Sequence, residues 1–290
     1  MDQQVFLTGG SGKTGQALLH LLSTDERFAI RQITCLCRPG GRADRLRRFG
    51  VSIAVGDASD PESLRAAYGG QETVIHLSSI FHTGAVLAGC VRMKRLIAVS
   101  STGVFSRHRS NAGAITAVER EIENSAIAYT ILRPTMIYGA PDDRNISRLI
   151  GLVHRHSLIP LPASGRSVFQ PVHVTDLASC IAAALGSPES IGKSYNVPGG
   201  SAHTLREMVT IVAGLLGRRV RVVPVPYWTA LIALRLAKAI RPGLRLDTEQ
   251  IERLREDKSF DYTDAARELS YTPMTFPEGV KKQMHGMGLL

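Results

Sequence analysis

The sequence predicts an α/β fold in which a doubly wound parallel sheet carries a smaller, mostly helical C-terminal lobe. Three observations indicate it. Short apolar runs alternate with helix-like stretches through the first half, a glycine-rich turn follows the first run, and loops rich in Pro and Gly separate helices from about residue 139 onwards. Strands and helices that alternate at this spacing indicate βαβ units with right-handed crossovers. The 290 residues are enough to bury a sizeable core.

The strands predicted in the first half are short and almost continuously apolar, as expected for a parallel sheet that is covered on both faces. One helix start is well marked, because Asp60 is a capping residue type and Pro61 suits a first turn. The predicted strands span 5–8, 32–37, 52–55, 73–77, 95–100 and 129–133. The predicted helices span 14–23, 42–48, 61–68, 83–92 and 114–125.

The second half has a different pattern, in which turn-forming segments lie between longer helices. We expect it to cover the carboxyl ends of the sheet, where open α/β folds bind their ligands. The predicted loops span 139–141, 160–162 and 197–200. The predicted helices span 144–156, 174–186, 204–216 and 226–240, and a turn at 273–277 precedes a short last helix.

The glycine-rich turn at 8–15 allows two phosphate-binding interpretations. A P-loop needs a Gly, four further residues and then Gly-Lys-Ser/Thr. Gly12, Lys13 and Thr14 supply the end of that motif, but Leu7 stands where its first glycine is required. The spacing therefore excludes a P-loop.

The glycines of this turn fit instead the opening of a dinucleotide-binding helix. Gly9 permits the tight turn, Gly12 lets the backbone approach a pyrophosphate, and Gly15 lets helix and strand pack closely. The other residues of the turn that we expect to contact a cofactor are Ser11, Lys13 and Thr14.

The residues after the second and third strands indicate which dinucleotide is bound. Arg38 suits a 2′-phosphate, whereas an Asp or Glu there would accept a hydrogen bond from a ribose 2′-hydroxyl. Lys13 adds a second positive charge nearby. NADP(H) is therefore favoured over NAD(H), although Arg38 also fits a solvated loop charge. Asp57 is expected to meet the adenine amino group, or alternatively to cap the helix that begins near Pro61.

The remaining predicted cofactor contacts also lie at strand ends. His76 comes near the end of the fourth strand and is more typical of a core imidazole than of a catalyst. The turn that follows it is expected beside the pyrophosphate and the nicotinamide ribose. The contacts in this set are Ala58, Leu77, Ser78, Ser79 and Pro134.

Composition and charge limit the classes of molecule that the chain is expected to bind. The net charge of +10 favours anionic ligands, but the basic residues are scattered and accompany no nucleic-acid motif, so we expect no specific nucleic acid. The four cysteines and nine histidines show no metal-binding spacing, and we expect no metal. The first residues lack a secretory pattern, which predicts a cytoplasmic protein. The segment 226–241 is apolar with interspersed basic residues, and is expected in the core or, alternatively, on a membrane surface or a protein partner.

Taken in order, these motifs resemble the extended and atypical short-chain dehydrogenase/reductase superfamily, which includes the NAD-dependent epimerase/dehydratase and NmrA-like proteins. The resemblance implies a Rossmann-like dinucleotide-binding domain at 1–137, with part of 168–197 returning to it, and a substrate or partner lobe at 138–167 and 198–290. The matching segments are 8–15, 56–57, 74–77, 99–105, 132–139, 171–178, 195–197 and 266–273.

The chain departs from the superfamily at the catalytic residues. Members use a Ser or Thr after the fifth strand and a Tyr-x-x-x-Lys on the next helix. Ser101 fits the first position, but no Tyr-x-x-x-Lys lies between Ser101 and Arg133, and the two positions fall near Asn111 and Ile115. His108 lies in the intervening loop and is of a residue type suited to acid–base catalysis, although an exposed loop histidine is the plainer interpretation.

Two hypotheses for function follow from this resemblance. In the first, the chain is an NADP(H)-dependent redox enzyme in which Ser101 binds a carbonyl group. Residues 266–273 resemble nucleotide-sugar members and favour such a substrate, but the short segment between the fourth and fifth strands disfavours a full epimerase or dehydratase. In the second, it is a non-catalytic sensor or assembly subunit, similar to the short-chain-dehydrogenase-like accessory subunit of respiratory complex I.

Overall fold

The computed structural model describes residues 4–25, 32–108, 110–143, 145–162, 165–226, 228–229, 232, 252 and 256–290. The strands in these ranges are β1 Val5–Thr8, β2 Ile33–Cys37, β3 Ser52–Val55, β4 Thr73–His76, β5 Arg95–Val99, β6 Ala128–Pro134, β7 Ile137–Tyr138, β8 Leu158–Pro162, β9 Val168–Phe169, β10 Val172–His173, β11 Lys193–Val197, β12 His203–Thr204 and β13 Arg221–Val225. The helices are α1 Lys13–Thr24, α2 Asp44–Arg47, α3 Pro61–Ala67, α4 Thr83–Gly89, α5 Ala112–Glu123, α6 Ile146–Arg155, α7 Val174–Gly186, α8 Leu205–Leu215, α9 Thr263–Leu269 and α10 Phe276–Gly286.

Seven parallel strands form the central sheet, in the order β11-β6-β5-β4-β1-β2-β3. The chain runs outward from β1 to β3 on one side and from β4 to β6 on the other. The order therefore reverses between β1 and β4, where a crevice opens at the carboxyl edge of a doubly wound sheet. The predicted fold class is confirmed.

Helices cover both faces of the sheet. Val5 and Leu7 point into one core, which α1 and α7 close, while Phe6 points into the other, which α3, α4 and α5 close. This alternation is the period of an extended strand. Cys35 and Cys37 are both buried in the first core, so they share one face of β2.

The lobe has a third core of its own between α6, α8 and α10, with Ile150, Val212 and Val280 fully buried in it. Its short strands pair two by two: β7 with β10 and β8 with β13 in parallel, and β9 with β12 antiparallel. The chain enters this lobe directly from the carboxyl end of β6, so the lobe adjoins the crevice.

One predicted loop is wrong. The segment 160–162 belongs to strand β8, where Pro160 pairs with Val223 of β13. Proline cannot donate to a ladder and is therefore tolerated in an edge strand, which each strand of a two-stranded pair is. Ile159 and Leu161 are buried between the prolines and hold the strand on the third core.

One C-terminal helix packs elsewhere than the sequence predicts, and most of another predicted helix lies outside the described residues. Helix α9 packs Ala265 and Leu269 into the first core of the sheet, although its residues fall in the range assigned to the lobe. The helix predicted at 226–240 lies outside the described residues except for Pro226, which is not helical, and Trp228, Thr229 and Ile232, which are. Within the described ranges, no helix has the length and apolar character needed to span a bilayer.

Candidate functional site

The turn after β1 lies against the turn after β4. Gly9 has φ +75°, and a Cβ at this position would be 2.6 Å from the Leu77 carbonyl carbon and 2.7 Å from Ser78 N. The Gly12 N–H closes the turn by donating to Gly9 O at 3.0 Å. Because the neighbouring atoms belong to the backbone, no side-chain movement can make room. Only glycine fits where these two strand ends meet.

The N-terminus of α1 opens from this turn. Gly12 is its N-cap, no side chain accepts a hydrogen bond there, and the first turn carries no acidic residue. The uncapped N–H groups and the helix dipole favour an anion. A Cβ on Gly15 would be 2.5 Å from Gly10 Cα, so the helix packs tightly on the turn. Ser11 and Thr14 are partly exposed beside it.

His76 fixes the turn after β4. Its buried ring accepts from Thr8 Oγ1 at 2.8 Å through Nδ1 and donates from Nε2 to Ser79 O at 3.1 Å. Ser78 Oγ is also 3.2 Å from Nδ1. Burial lowers the pKa of His76 to about 4, so the ring is neutral at physiological pH. The structure thus agrees with a core imidazole, and this imidazole ties the Leu77–Ser79 turn to β1.

Arg38 follows β2 and Asp57 follows β3, and the charge of Arg38 acts on the Asp57 carboxylate. Asp57 Oδ1 accepts from the Ser59 N–H at 2.9 Å and from its hydroxyl at 2.8 Å. These hydrogen bonds lower the pKa of Asp57, and the positive charges of Arg38 and His82 lower it further. Arg38 itself is exposed. The alternative role of Asp57 is wrong, because Asp60 caps α3.

Ser101 lies at the end of β5 and starts a 3-10 turn. Its Oγ accepts from the Gly103 N–H at 3.0 Å. Thr102 Oγ1 donates to Pro134 O at 3.2 Å, so the ends of β5 and β6 are joined beside Ser101. Pro134 and Ala58 are both buried, and each therefore offers mainly its backbone to this edge of the sheet.

A buried ion pair underlies Ser101. Arg133 Nε and NH2 lie 3.0 and 2.7 Å from Glu119 Oε2, and Ser100 Oγ donates to Glu119 Oε1 at 2.5 Å. The exposed fraction of the side chain is 17% for Arg133 and 4% for Glu119. The pair joins α5 to β6 directly behind the site. Glu119 was not predicted as a functional residue, although a charged residue on the apolar face of α5 indicates that it has a partner.

The resemblance predicts the tyrosine and lysine positions near Asn111 and Ile115. Asn111 is the N-cap of α5, and Ile115 is buried in the second core. His108 is exposed, and its backbone N–H donates to Glu256 Oε1 at 2.9 Å. In the geometry described, His108 therefore serves through its backbone.

Glu256, from the C-terminal part of the chain, contacts the loop that follows β5. Its carboxylate accepts from Ser106 Oγ and the Arg107 N–H, both at 2.7 Å. Burial alone would raise the pKa of Glu256, but these hydrogen bonds and the charge of Lys258 bring it below the ordinary value. The Phe260 ring lies 5.6 Å from that of Phe105. The sequence analysis missed this contact, because a partner about 150 positions away leaves no local signal.

A second contact from the lobe reaches the glycine turn. Lys13 Nζ is 3.0 Å from Asp142 Oδ1. The hydrogen bond from Lys13 lowers the pKa of Asp142, and the charge of Arg45 contributes. The next residue, Asp143, is buried and accepts from Gln283, which anchors the loop on α10. Asp142 and Asp143 directly follow the predicted loop 139–141, and this acidic pair is a local sign in the sequence of the contact with the glycine turn.

A metal site would need several His, Cys, Asp or Glu side chains close together. Among the residues that the structure describes, no group of three or more His, Cys, Asp or Glu is placed to hold a metal ion. All four cysteines are buried free thiols, and burial raises the pKa of Cys35 to about 12.

Comparison with known proteins gives one family match and several relatives. Residues 9–188 match the family described as NAD(P)H-binding. The chain is 32% identical over 115 residues to NADH dehydrogenase (ubiquinone) 1 alpha subcomplex subunit 9, mitochondrial, of Arabidopsis thaliana, covering 39% of this chain and 28% of that one. It is 23% identical over 234 residues to NAD(P)H azoreductase of Xenophilus azovorans, covering 76% and 77%. The chain thus spans less than a third of the Arabidopsis relative.

The same fold occurs in solved structures. A UDP-glucose 4-epimerase from the hyperthermophilic eubacterium Thermotoga maritima, solved with UDP-glucose, matches with a TM-score of 0.73 over 97% of each chain at 16% identity. This likeness extends over both the sheet and the lobe. It agrees with the superfamily resemblance of the sequence motifs.

Proposed function

We propose, from the premise that this chain belongs to the NAD(P)H-binding family, that it binds NADP(H) and performs redox chemistry on a nucleotide-sugar or another small carbonyl compound. The cofactor-binding part of this proposal rests on the glycine turn and the start of α1 at the carboxyl edge of the sheet, which we call the cradle. Gly9 has backbone neighbours where a Cβ would lie, and the uncapped start of α1 follows it. The residues present fit a dinucleotide.

The chain's own residues divide the work along that edge. The start of α1, with Ser11, Lys13 and Thr14, would hold the pyrophosphate through N–H groups and a positive dipole. Arg38 would bind a 2′-phosphate, and its positive charge adds to the hydrogen bonds from Ser59 that lower the pKa of Asp57. The set expected on the adenine and nicotinamide sides is Ala58, Leu77, Ser78, Ser79 and Pro134.

Nicotinamide supplies or accepts a hydride, and the protein positions the carbonyl that reacts. Ser101, at the end of β5, would hydrogen-bond the carbonyl oxygen. Asn111 and Ile115 cannot relay a proton, so water or a group not yet identified takes the tyrosine's role. The azoreductase relative supports a redox enzyme, because it is similar over most of both chains. Residues 266–273 support the nucleotide-sugar class.

A non-catalytic role is the second candidate, as a cofactor sensor or an assembly subunit. The observation that favours it is Ile115, which fills the lysine position and is buried in the second core instead of facing the cofactor edge. The respiratory-complex relative carries a subunit name, which fits the same role. In this case cofactor occupancy would stabilise a binding surface.

Two variants separate these functions. Ser101→Ala should abolish turnover of a verified carbonyl substrate while NADPH affinity stays unchanged, and full activity would remove Ser101 from the reaction. Arg38→Ala should weaken NADPH and leave NADH unaffected. Arg65→Ala is the matched control, because Arg65 is a surface arginine that pairs with Glu62 on α3, away from the glycine turn. An Arg38→Ala variant that binds NADPH as tightly as the parent would remove the 2′-phosphate argument.

A further inference from the structure

The outward face of the β8–β13 pair is apolar. Ile159 and Leu161 fill the third core, while Leu158 is 59% exposed and Val223 is 39% exposed. The register places Leu158 opposite Arg221 and Pro160 opposite Val223, so these side chains share the outer face. A sheet with one face on a core usually alternates to polar residues outside. The outer face of this pair is instead apolar beyond Arg221, with Leu158, Pro160 and Val223 on it.

Two further exposed apolar side chains follow β13 in the chain. Trp228 is 63% exposed and Ile232 is 49% exposed, and both are helical. Trp228 is the single tryptophan of the chain and comes three residues after the end of β13. We call Leu158, Val223, Trp228 and Ile232 the docking face.

Arginines border the docking face. Arg218, Arg219 and Arg221 are exposed at the start of β13. The sequence ranges 148–162 and 214–232, which supply the face and its border, contain no Asp or Glu. The charge of this border is therefore of one sign, whereas surfaces of soluble proteins usually mix both signs.

We propose that the docking face rests on an anionic lipid bilayer. Exposed Trp and Leu side chains are stabilised at the headgroup level, and neighbouring arginines are attracted by anionic lipids. Apolar side chains of this size gain by leaving water, and a single-signed basic border complements a negative surface. The contact is peripheral and independent of cofactor binding.

The test uses vesicles and the emission of Trp228. Sedimentation should show binding to phosphatidylcholine–phosphatidylglycerol vesicles and none to phosphatidylcholine alone. Trp228 emission should shift to the blue only with the anionic vesicles. A variant with R218E, R219E and R221E should lose at least about 100-fold in partitioning, because each basic side chain near an anionic surface contributes about fivefold.

A triple control removes the same charge elsewhere. R92E, K94E and R120E change exposed residues before β5 and on α5, away from the lobe, and should retain most of the binding. NADPH titration checks that both variants are folded. The proposal is overturned if the anionic vesicles are not bound, if the two triple variants lose binding equally, or if Trp228 emission stays unshifted on binding. Binding to polyglutamate without binding to vesicles would indicate an acidic protein partner instead.

Discussion

Replacing Gly9 with alanine tests the cradle most sharply. The left-handed conformation at φ +75° costs an alanine about 1–2 kcal/mol. The Cβ would also lie 2.6 Å from a backbone carbon of Leu77, and overpacking of this kind adds about 1–3 kcal/mol. Together, Gly9→Ala should lower the free energy of unfolding by about 2–5 kcal/mol. It should also separate the two turns and abolish NADPH binding by the folded fraction.

Gly50 offers a matched control for the backbone cost. Its φ is +72°, and nothing lies within 4 Å of an added Cβ. Gly50→Ala should therefore cost only the conformational part, about 1–2 kcal/mol, and leave cofactor affinity unchanged. Urea unfolding measures the stabilities and fluorescence titration measures the affinities. Equal destabilisation by the two substitutions, with NADPH affinity intact in both, would refute the steric account of the cradle.

Three further predictions concern polar side chains that join separate elements. Arg133→Met should destabilise the protein by about 3–5 kcal/mol, since it leaves Glu119 buried and unpaired, and adding Glu119→Gln should recover part of the loss in urea unfolding; a double variant no better than the single one would contradict this. The pKa of His76 is lowered to about 4 in the folded state from the 6.5 of an unfolded histidine, so its stabilising contribution is complete above pH 6.5 and is lost as the pH falls to 4, by about 3 kcal/mol; a His76→Gln variant with the same loss of unfolding free energy over this range would show that other groups dominate. Glu256→Gln should speed amide hydrogen exchange at residues 106–108 while the free energy of global unfolding changes little. Unchanged exchange there would show that Glu256 does not stabilise this loop.

The local parts of this structure are readable from the sequence because their causes are local. The β1 strand, the turn with Gly9 and Gly12, and the start of α3 at Asp60 each depend on residue types a few positions apart. His76 is recognisable as a core imidazole because it interrupts an apolar strand. The parallel sheet follows from the alternation of strands and helices.

The parts that sequence could not give depend on contacts between distant residues. Glu256 binds the 106–108 loop, and Asp142 reaches Lys13, yet neither partner lies near the other in the chain. Strand β8 was not predicted because prolines usually mark loops. Its pairing with β13 makes it an edge strand, where proline is tolerated. The packing of helix α9 on the sheet core was also not predictable, because its contacts lie on α7 and β11, which are distant in the chain.

The most direct test of the central claim is a titration of the purified protein with NADPH and with NADH, followed by nicotinamide fluorescence. The account predicts tight NADPH binding and weak NADH binding, because Arg38, at the end of β2, would bind the 2′-phosphate. Equal or tighter NADH binding would contradict the role of Arg38. Binding of neither dinucleotide would contradict the proposed function as a whole, and the glycine turn would then serve the fold alone.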